Sequence, residues 1–153
     1  MRKPSLLLTL IFLAAFAAPA PALDKAEDLL KAVVKVKATV PEGARTAAAL
    51  GTEREGHGIL IDGRGHILTT GYLVIESETI EVTGPGGRKT AAVFVGYDHA
   101  TGFGIVRAES PLGAEPIELG RSADLAEGAP VLVAGYGGLE AAVGARVVAR
   151  REF

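Results

Sequence analysis

Short runs of alternating apolar and polar residues, separated by glycine-rich turns, run through most of this 153-residue chain. Residues 34–40 carry valine or alanine at every even position and lysine or threonine between them, the pattern of a strand with one buried face. Residues 62–65, Asp-Gly-Arg-Gly, separate the runs 57–61 and 66–70 and form a strong hairpin signal. Since the glycines also favour tight turns over long helices, we predict about eight short strands in an all-β fold, an antiparallel barrel or sandwich.

Further strand and helix signals occupy the rest of the chain. A capping-box pattern from Asp24 to Glu27 predicts a short helix that runs towards Leu30. Residues 41–56 are rich in alanine and charge but show no clean period, so we predict an exposed loop there. The other predicted strands cover residues 79–83, 90–97, 103–108, 116–119, 130–134 and 143–149.

The amino terminus has the pattern of an export signal. A basic start, Met1-Arg2-Lys3, precedes an apolar run over residues 6–18, and small residues at 20–22 suit cleavage after Ala22. The alternative is an uncleaved anchor, but the run is shorter than the ~20 apolar residues that span a bilayer. We therefore predict a signal peptide over residues 1–22, a periplasmic or extracellular protein, and no stable membrane insertion after cleavage.

Composition excludes several classes of function. Without the signal the chain keeps 14 basic residues against 18 acidic ones, a net charge of -4, and aromatics make up only 5% of the whole chain. Nucleic-acid binders usually show a basic face with stacking rings, so no nucleic-acid partner is expected. The absence of cysteine rules out disulfides, thiol catalysis and cysteine-ligated zinc.

The histidines give no metal or acid–base site by spacing. Across the predicted hairpin His66 lies opposite Ile61 rather than opposite His57, so those two imidazoles do not converge. Asp98 and His99 are neighbours in a turn, where an aspartate more often caps its own backbone. We therefore predict no metal site and no cofactor.

The serines and the last glycine cluster point to no catalytic set either. Ser77, Ser110 and Ser122 lie outside any Gly-x-Ser-x-Gly pattern, and Ser122 fits a structural turn before a strand. Residues 135–138, Gly-Tyr-Gly-Gly, follow a strand, but no helix pattern opens after them to hold a phosphate. The residues alone therefore predict an exported β-barrel with an incomplete catalytic set.

Three consecutive motifs nevertheless resemble a known family. HGILIDGRGHILTTGYLV, GPGGRKTAAVFVGYDHATGFGIVRA and IELGRSADLAEGAPVLVAGYGG follow one another from His57 to Gly138. Their order is similar to the first half of a trypsin-like serine protease of the HtrA type, with a match over about residues 33–149. The resemblance implies a six-stranded-type barrel over residues 23–128 and the incomplete start of a second barrel over residues 129–153.

The resemblance also shows where the catalytic positions of that family fall. Its histidine falls on Tyr72, its aspartate falls on Gly102, and its serine would lie on the second barrel beyond Phe153. This implies a homologue without catalytic residues that binds or scaffolds a polypeptide or protein partner. Two alternatives stay open: an active HtrA-like serine endopeptidase whose nucleophile lies in a further C-terminal half, and a β-barrel binding module unrelated to proteases.

Overall fold

The computed structural model describes the backbone of residues 20–151 and the side chains of residues 25–151. Apart from its last three residues, the predicted signal peptide lies outside the described residues. No helix within the described part of the chain is long and apolar enough to cross a membrane.

Six antiparallel strands close into a barrel. In order around the barrel the strands are β1, β2, β3, β6, β5 and β4, and β4 pairs back with β1. The all-β prediction and the six-stranded barrel are thereby confirmed. The strands are β1 Val33–Thr39, β2 Glu53–Leu60, β3 His66–Thr70, β4 Thr79–Thr83, β5 Lys89–Tyr97 and β6 Phe103–Ala108.

A two-stranded sheet and short helices complete the fold. Strands β7, Pro130–Ala134, and β8, Ala142–Arg146, pair with each other in a separate antiparallel hairpin. The helices are α1 Ala20–Leu30, α2 Ala47–Leu50 and α3 Gly71–Val74, with 3-10 turns at Pro85–Gly87, Ser122–Asp124 and Gly138–Ala141.

The barrel interior holds the apolar face of each strand. In β1 the even-numbered residues are buried and the odd-numbered ones half-buried, as the alternation predicts. Val36, Ile67, Val82 and Val106 are fully buried side chains of four different strands. Because every strand has a neighbour on both sides, the barrel leaves no unpaired edge, and one core is shared by all six strands.

The structure corrects the prediction of an exposed loop over residues 41–56. Its last four residues begin β2, and residues 47–50 form the helical turn α2. The sequence hides this start of β2 because the side chain that points inward at this end of the strand is Arg54, a charged residue. A pattern search for buried apolar residues cannot find a strand whose buried position carries a guanidinium.

Other predicted elements differ from the structure as well. Helix α1 begins at Ala20 rather than at the predicted cap at Asp24, and β8 ends at Arg146 rather than at residue 149. Residues 116–119 form no strand; Ile117 donates one backbone hydrogen bond to Leu60 O at 2.9 Å. A single such bond does not make a ladder, and Pro116 has no N–H with which to extend it.

Candidate functional site

The site that the resemblance singles out lies where β3 leads into α3. Gly71 donates its N–H to Gly102 O at 2.7 Å, so Tyr72 and Gly102 are brought to neighbouring positions at one end of the barrel. The Tyr72 side chain is 54% exposed and is therefore accessible from solvent.

Glycine contacts allow α3 to lie directly against β6. A Cβ at Gly71 would overlap the ring of Tyr97, and a Cβ at Gly104 would lie 3.0 Å from Gly71 Cα. Both positions therefore favour a residue without a side chain: at Gly71 the space is taken by the Tyr97 ring, and at Gly104 by the backbone of Gly71 and the side chain of Val74. This close approach places the backbone of Tyr72 beside the turn that holds Gly102.

Gly102 closes the turn between β5 and β6 in a left-handed conformation. Its φ is +76°, a region that favours glycine, and its N–H donates to Asp98 O at 2.8 Å. The Asp98 carboxylate accepts hydrogen bonds from the Thr101 hydroxyl at 2.7 Å and from the Ala100 N–H at 3.0 Å. The Thr101 hydroxyl, followed by the Ala100 N–H, lowers the pKa of Asp98 below its ordinary value. The turn role predicted for Asp98 is confirmed.

A buried guanidinium holds the carbonyl end of α3. Arg54 is only 4% exposed, and its Nη1 donates to Tyr72 O at 2.7 Å and to Ile75 O at 3.1 Å. Its Nε donates to Gly51 O at 3.1 Å, and its Nη2 donates to the Thr46 hydroxyl at 2.8 Å. A cation is favourable at a helix carboxyl end because the terminal carbonyls carry partial negative charge. Arg54 therefore positions the backbone of Tyr72 without reaching its ring.

Glu76 extends this network to the segment before β2. Its carboxylate accepts hydrogen bonds from the Thr46 hydroxyl at 2.6 Å and from the Thr46 N–H at 2.9 Å, and Arg45 Nε lies 3.3 Å away. These donors, the Thr46 hydroxyl first, lower the pKa of Glu76 to about 2. Glu76 also has a φ of +58°, which is uncommon for a residue with a side chain. Its hydrogen bonds to Thr46 and Arg45 therefore stabilise an unfavourable backbone conformation.

The sequence did not reveal this network. We predicted residues 41–56 to be an exposed loop, and a threonine and an arginine in a loop carry no signal of a common partner. The contacts join residues about thirty positions apart in the chain, a separation that only the closed barrel makes short.

His66 forms an aspartate–histidine pair that the sequence analysis missed. Its Nδ1 lies 2.7 Å from Asp62 Oδ2, and its backbone N–H donates to Asp62 Oδ1 at 3.1 Å. The His66 ring, ahead of the backbone N–H groups of His66 and Arg64, holds the pKa of Asp62 well below its usual range. The pair closes the β2–β3 turn at the start of β3. Tyr72 follows the other end of β3, which places it roughly 15 Å from the pair at a rise of about 3.3 Å per residue. The available signal was the Asp-Gly-Arg-Gly-His turn itself, which sets the two side chains on adjoining strand ends.

The other two imidazoles serve in packing and docking contacts. His57 Nδ1 accepts the N–H of Tyr136 at 3.1 Å, so the neutral ring carries its proton on Nε2. The ring of His99 meets that of Tyr97 edge to face at 4.4 Å. His66 does lie opposite Ile61, as predicted, since Ile61 donates to its carbonyl at 2.9 Å. Among residues 25–151, whose side chains the structure describes, no three histidine, aspartate or glutamate side chains are grouped as metal ligands.

Comparison with known proteins agrees with this fold. The model of the trypsin-like peptidase domain matches residues 56–153. The chain is 32% identical over 144 residues to the serine protease PepD of Mycobacterium tuberculosis. The match covers 86% of this chain and 31% of that protein. The chain thus spans about a third of the length of the curated relative it matches.

The fold and the matches define a class. The chain belongs to the trypsin-like peptidase family, and its relationship is with the HtrA type. The alternative of a β-barrel module unrelated to proteases is therefore wrong: the six-stranded barrel is that of a protease-family domain.

Proposed function

We propose that this protein is an exported protease homologue that binds polypeptide without hydrolysing it. The observation that supports this is the pair of adjoining positions 72 and 102, where the family resemblance places a histidine and an aspartate. Tyr72 and Gly102 supply neither an imidazole nor a carboxylate there. An exposed phenol is well suited to packing against, and donating a hydrogen bond to, an extended peptide.

The chemistry of peptide hydrolysis explains why these two residues matter. A base must take the proton of the serine near neutral pH and return it to the leaving amine. A phenol keeps its proton at neutral pH and cannot act in this way. Gly102 has no side chain, so no carboxylate at this position can orient an imidazole. Loss of the base in a comparable triad lowers turnover on the order of 10⁶-fold.

Export is the second part of the proposal. It rests on the basic start, the apolar run and the small residues at 20–22. Amino-terminal sequencing of the protein recovered from the cell envelope or medium tests it directly. We expect a new terminus at Leu23; an intact Met1 on cytoplasmic protein would contradict export without bearing on polypeptide binding.

The alternative of an active serine endopeptidase keeps one structural observation in its favour. The Asp62–His66 pair has the carboxylate-to-Nδ1 contact that orients a catalytic imidazole, at 2.7 Å. Its position in the β2–β3 turn, at the far end of β3 from Tyr72, counts against that role. In this reading the nucleophile would come from sequence beyond Phe153.

Casein turnover by the purified full-length protein separates the two functions. We expect no turnover above a buffer control and no labelling by a fluorophosphonate probe. Binding of fluorescein-labelled casein, measured by anisotropy, should weaken with Tyr72→Ala. The control variant His99→Ala removes another exposed ring, the one that lies beside Tyr97, and should leave the binding unchanged. Turnover that disappears in His66→Gln would overturn the proposal and make the Asp62–His66 pair catalytic.

A further inference from the structure

The geometry points to a pH-sensitive latch between the barrel and the β7–β8 hairpin, made by the imidazole of His57 and the backbone N–H of Tyr136. This inference goes beyond the proposed function and does not depend on it. Protonation of His57 releases the latch, because the ring nitrogen that accepts the hydrogen bond then carries a proton of its own.

The barrel holds the backbone of His57 in place. Its backbone is held from the neighbouring strand, since the Thr69 hydroxyl donates to His57 O at 2.7 Å. The residue after it, Gly58, is buried and pairs with Thr69, so this part of β2 is fully in the sheet. The exposed ring therefore projects from a rigid strand towards the hairpin.

The hairpin approaches the ring with its backbone. Gly135 lies so close that a Cβ there would stand 3.3 Å from His57 Cε1, and the next residue donates its N–H to Nδ1 at 3.1 Å. Only the neutral ring can accept this bond. An imidazolium would face the N–H with another N–H, which replaces an attraction by a repulsion between two donors.

Charged groups lie near the latch on the barrel side and on the hairpin side. Lys35 lies directly across from His57 on β1 and is 3.6 Å from Glu55, two residues before His57 on the same face. On the hairpin side the Tyr136 phenol donates to Gly84 O at 3.2 Å. The neighbouring cleft of about 480 Å³ between α1 and the hairpin is lined by three further charged residues, Glu27, Lys31 and Glu140.

These contacts define how far the latch can act. The phenol of Tyr136 and the packing of α1 on the 3-10 turn at Gly138–Ala141 remain when His57 is protonated. Release therefore loosens the hairpin and does not detach it. Loss of one hydrogen bond corresponds to a change of about five-fold in the opening equilibrium of the hairpin.

Amide hydrogen exchange at Tyr136 tests the latch in the full-length protein. After correction for the intrinsic pH dependence of exchange, we expect Tyr136 to lose about five-fold in protection from pH 8 to pH 5, the range in which imidazoles change charge. The variant His57→Gln keeps a neutral acceptor at every pH, so it should abolish the pH response. The matched variant His99→Gln should retain it.

Nuclear magnetic resonance of the wild-type protein gives a second measurement that needs no variant. The Tyr136 amide shift should titrate with the same midpoint as the C2 proton of His57 and with neither of the other two histidines. Protection of Tyr136 that does not change with pH, or an amide shift that follows His66 or His99, would refute the latch. So would a pH response that persists in a folded His57→Gln protein.

Discussion

At the scale of single residues, two polar side chains decide how the turn bearing Tyr72 is held. The buried Arg54 donates hydrogen bonds to three carbonyls and one hydroxyl at this end of the barrel. The Glu76 carboxylate, at the end of the same turn, accepts hydrogen bonds from Thr46. Neither side chain reaches the exposed ring of Tyr72. Both act on its backbone, so their removal should change stability and peptide affinity together.

We expect Arg54→Met to lower the free energy of unfolding by about 3 kcal/mol, because buried carbonyls left without a donor cost about 1–3 kcal/mol each and some relax towards water. Urea unfolding followed by circular dichroism measures the change. The matched variant Arg107→Met, on the outer face of β6, should stay within about 0.5 kcal/mol of wild type. Equal effects of the two variants would show that the Arg54 contacts contribute nothing specific.

Glu76 should make stability depend on acid pH. Its folded-state pKa of about 2 lies below its unfolded value, so its contribution is full above that unfolded value and is lost as the pH falls towards 2. Compared with wild type, Glu76→Gln should therefore be less stable at pH 6, and the difference should shrink by pH 2. Thermal unfolding at several pH values measures it, with the exposed neighbour Glu78→Gln as control. A gap that stays constant from pH 6 to pH 2 would contradict this assignment.

At the scale of elements, the contact of α3 with β6 depends on two glycines. We expect Gly71→Ala to lower stability by about 1–3 kcal/mol, since its methyl group would overlap the Tyr97 ring and force α3 away from the sheet. The change Gly63→Ala, at a position with nothing within 4 Å and no positive φ, is the matched control and should be nearly neutral. Chemical denaturation of both variants measures the difference, and Tyr97→Leu should partly rescue Gly71→Ala. Absence of any rescue would place the strain elsewhere.

The strands also show which elements could be predicted from the sequence. Strands β3, β4 and β6 match their predicted bounds residue for residue, because each has a short run bounded by a turn of glycine, aspartate or proline. Strand β2 starts four residues earlier than predicted, because an arginine takes its first buried position. A hydrophobic pattern assumes that buried positions carry apolar side chains, whereas at this end of the barrel the buried Arg54 donates to three carbonyls and one hydroxyl.

At the scale of the whole molecule, the β7–β8 hairpin has far less cover than the barrel. Its residues Leu132, Val133 and Val143 are between 50% and 68% exposed. Isolated hairpins are marginal in water, and unpaired apolar strands favour association. The resemblance places the start of a second barrel here.

We therefore expect a polypeptide of residues 23–153 to self-associate, and one ending near Gly128 to stay more soluble. Light scattering at increasing concentration measures both. The pair Val133→Thr and Val143→Thr in the longer polypeptide should reduce association, whereas the pair Val93→Thr and Val95→Thr on the barrel strand β5, which has a neighbour on both sides, should not. A monodisperse monomer of residues 23–153 at high concentration would contradict this.

The sequence by itself determined the class of the fold and the family. Alternation, turn residues and the order of three motifs are local properties, and local backbone preferences suffice to predict strands and turns. Which of the polar residues meet was decided only by the tertiary structure. Closure of the barrel brings Arg54 to the α3 carbonyls and Glu76 to Thr46, and the position of the β7–β8 hairpin against the barrel brings Tyr136 to His57, over separations of 18 to 79 residues. No local pattern records such contacts, because each depends on where the whole chain returns.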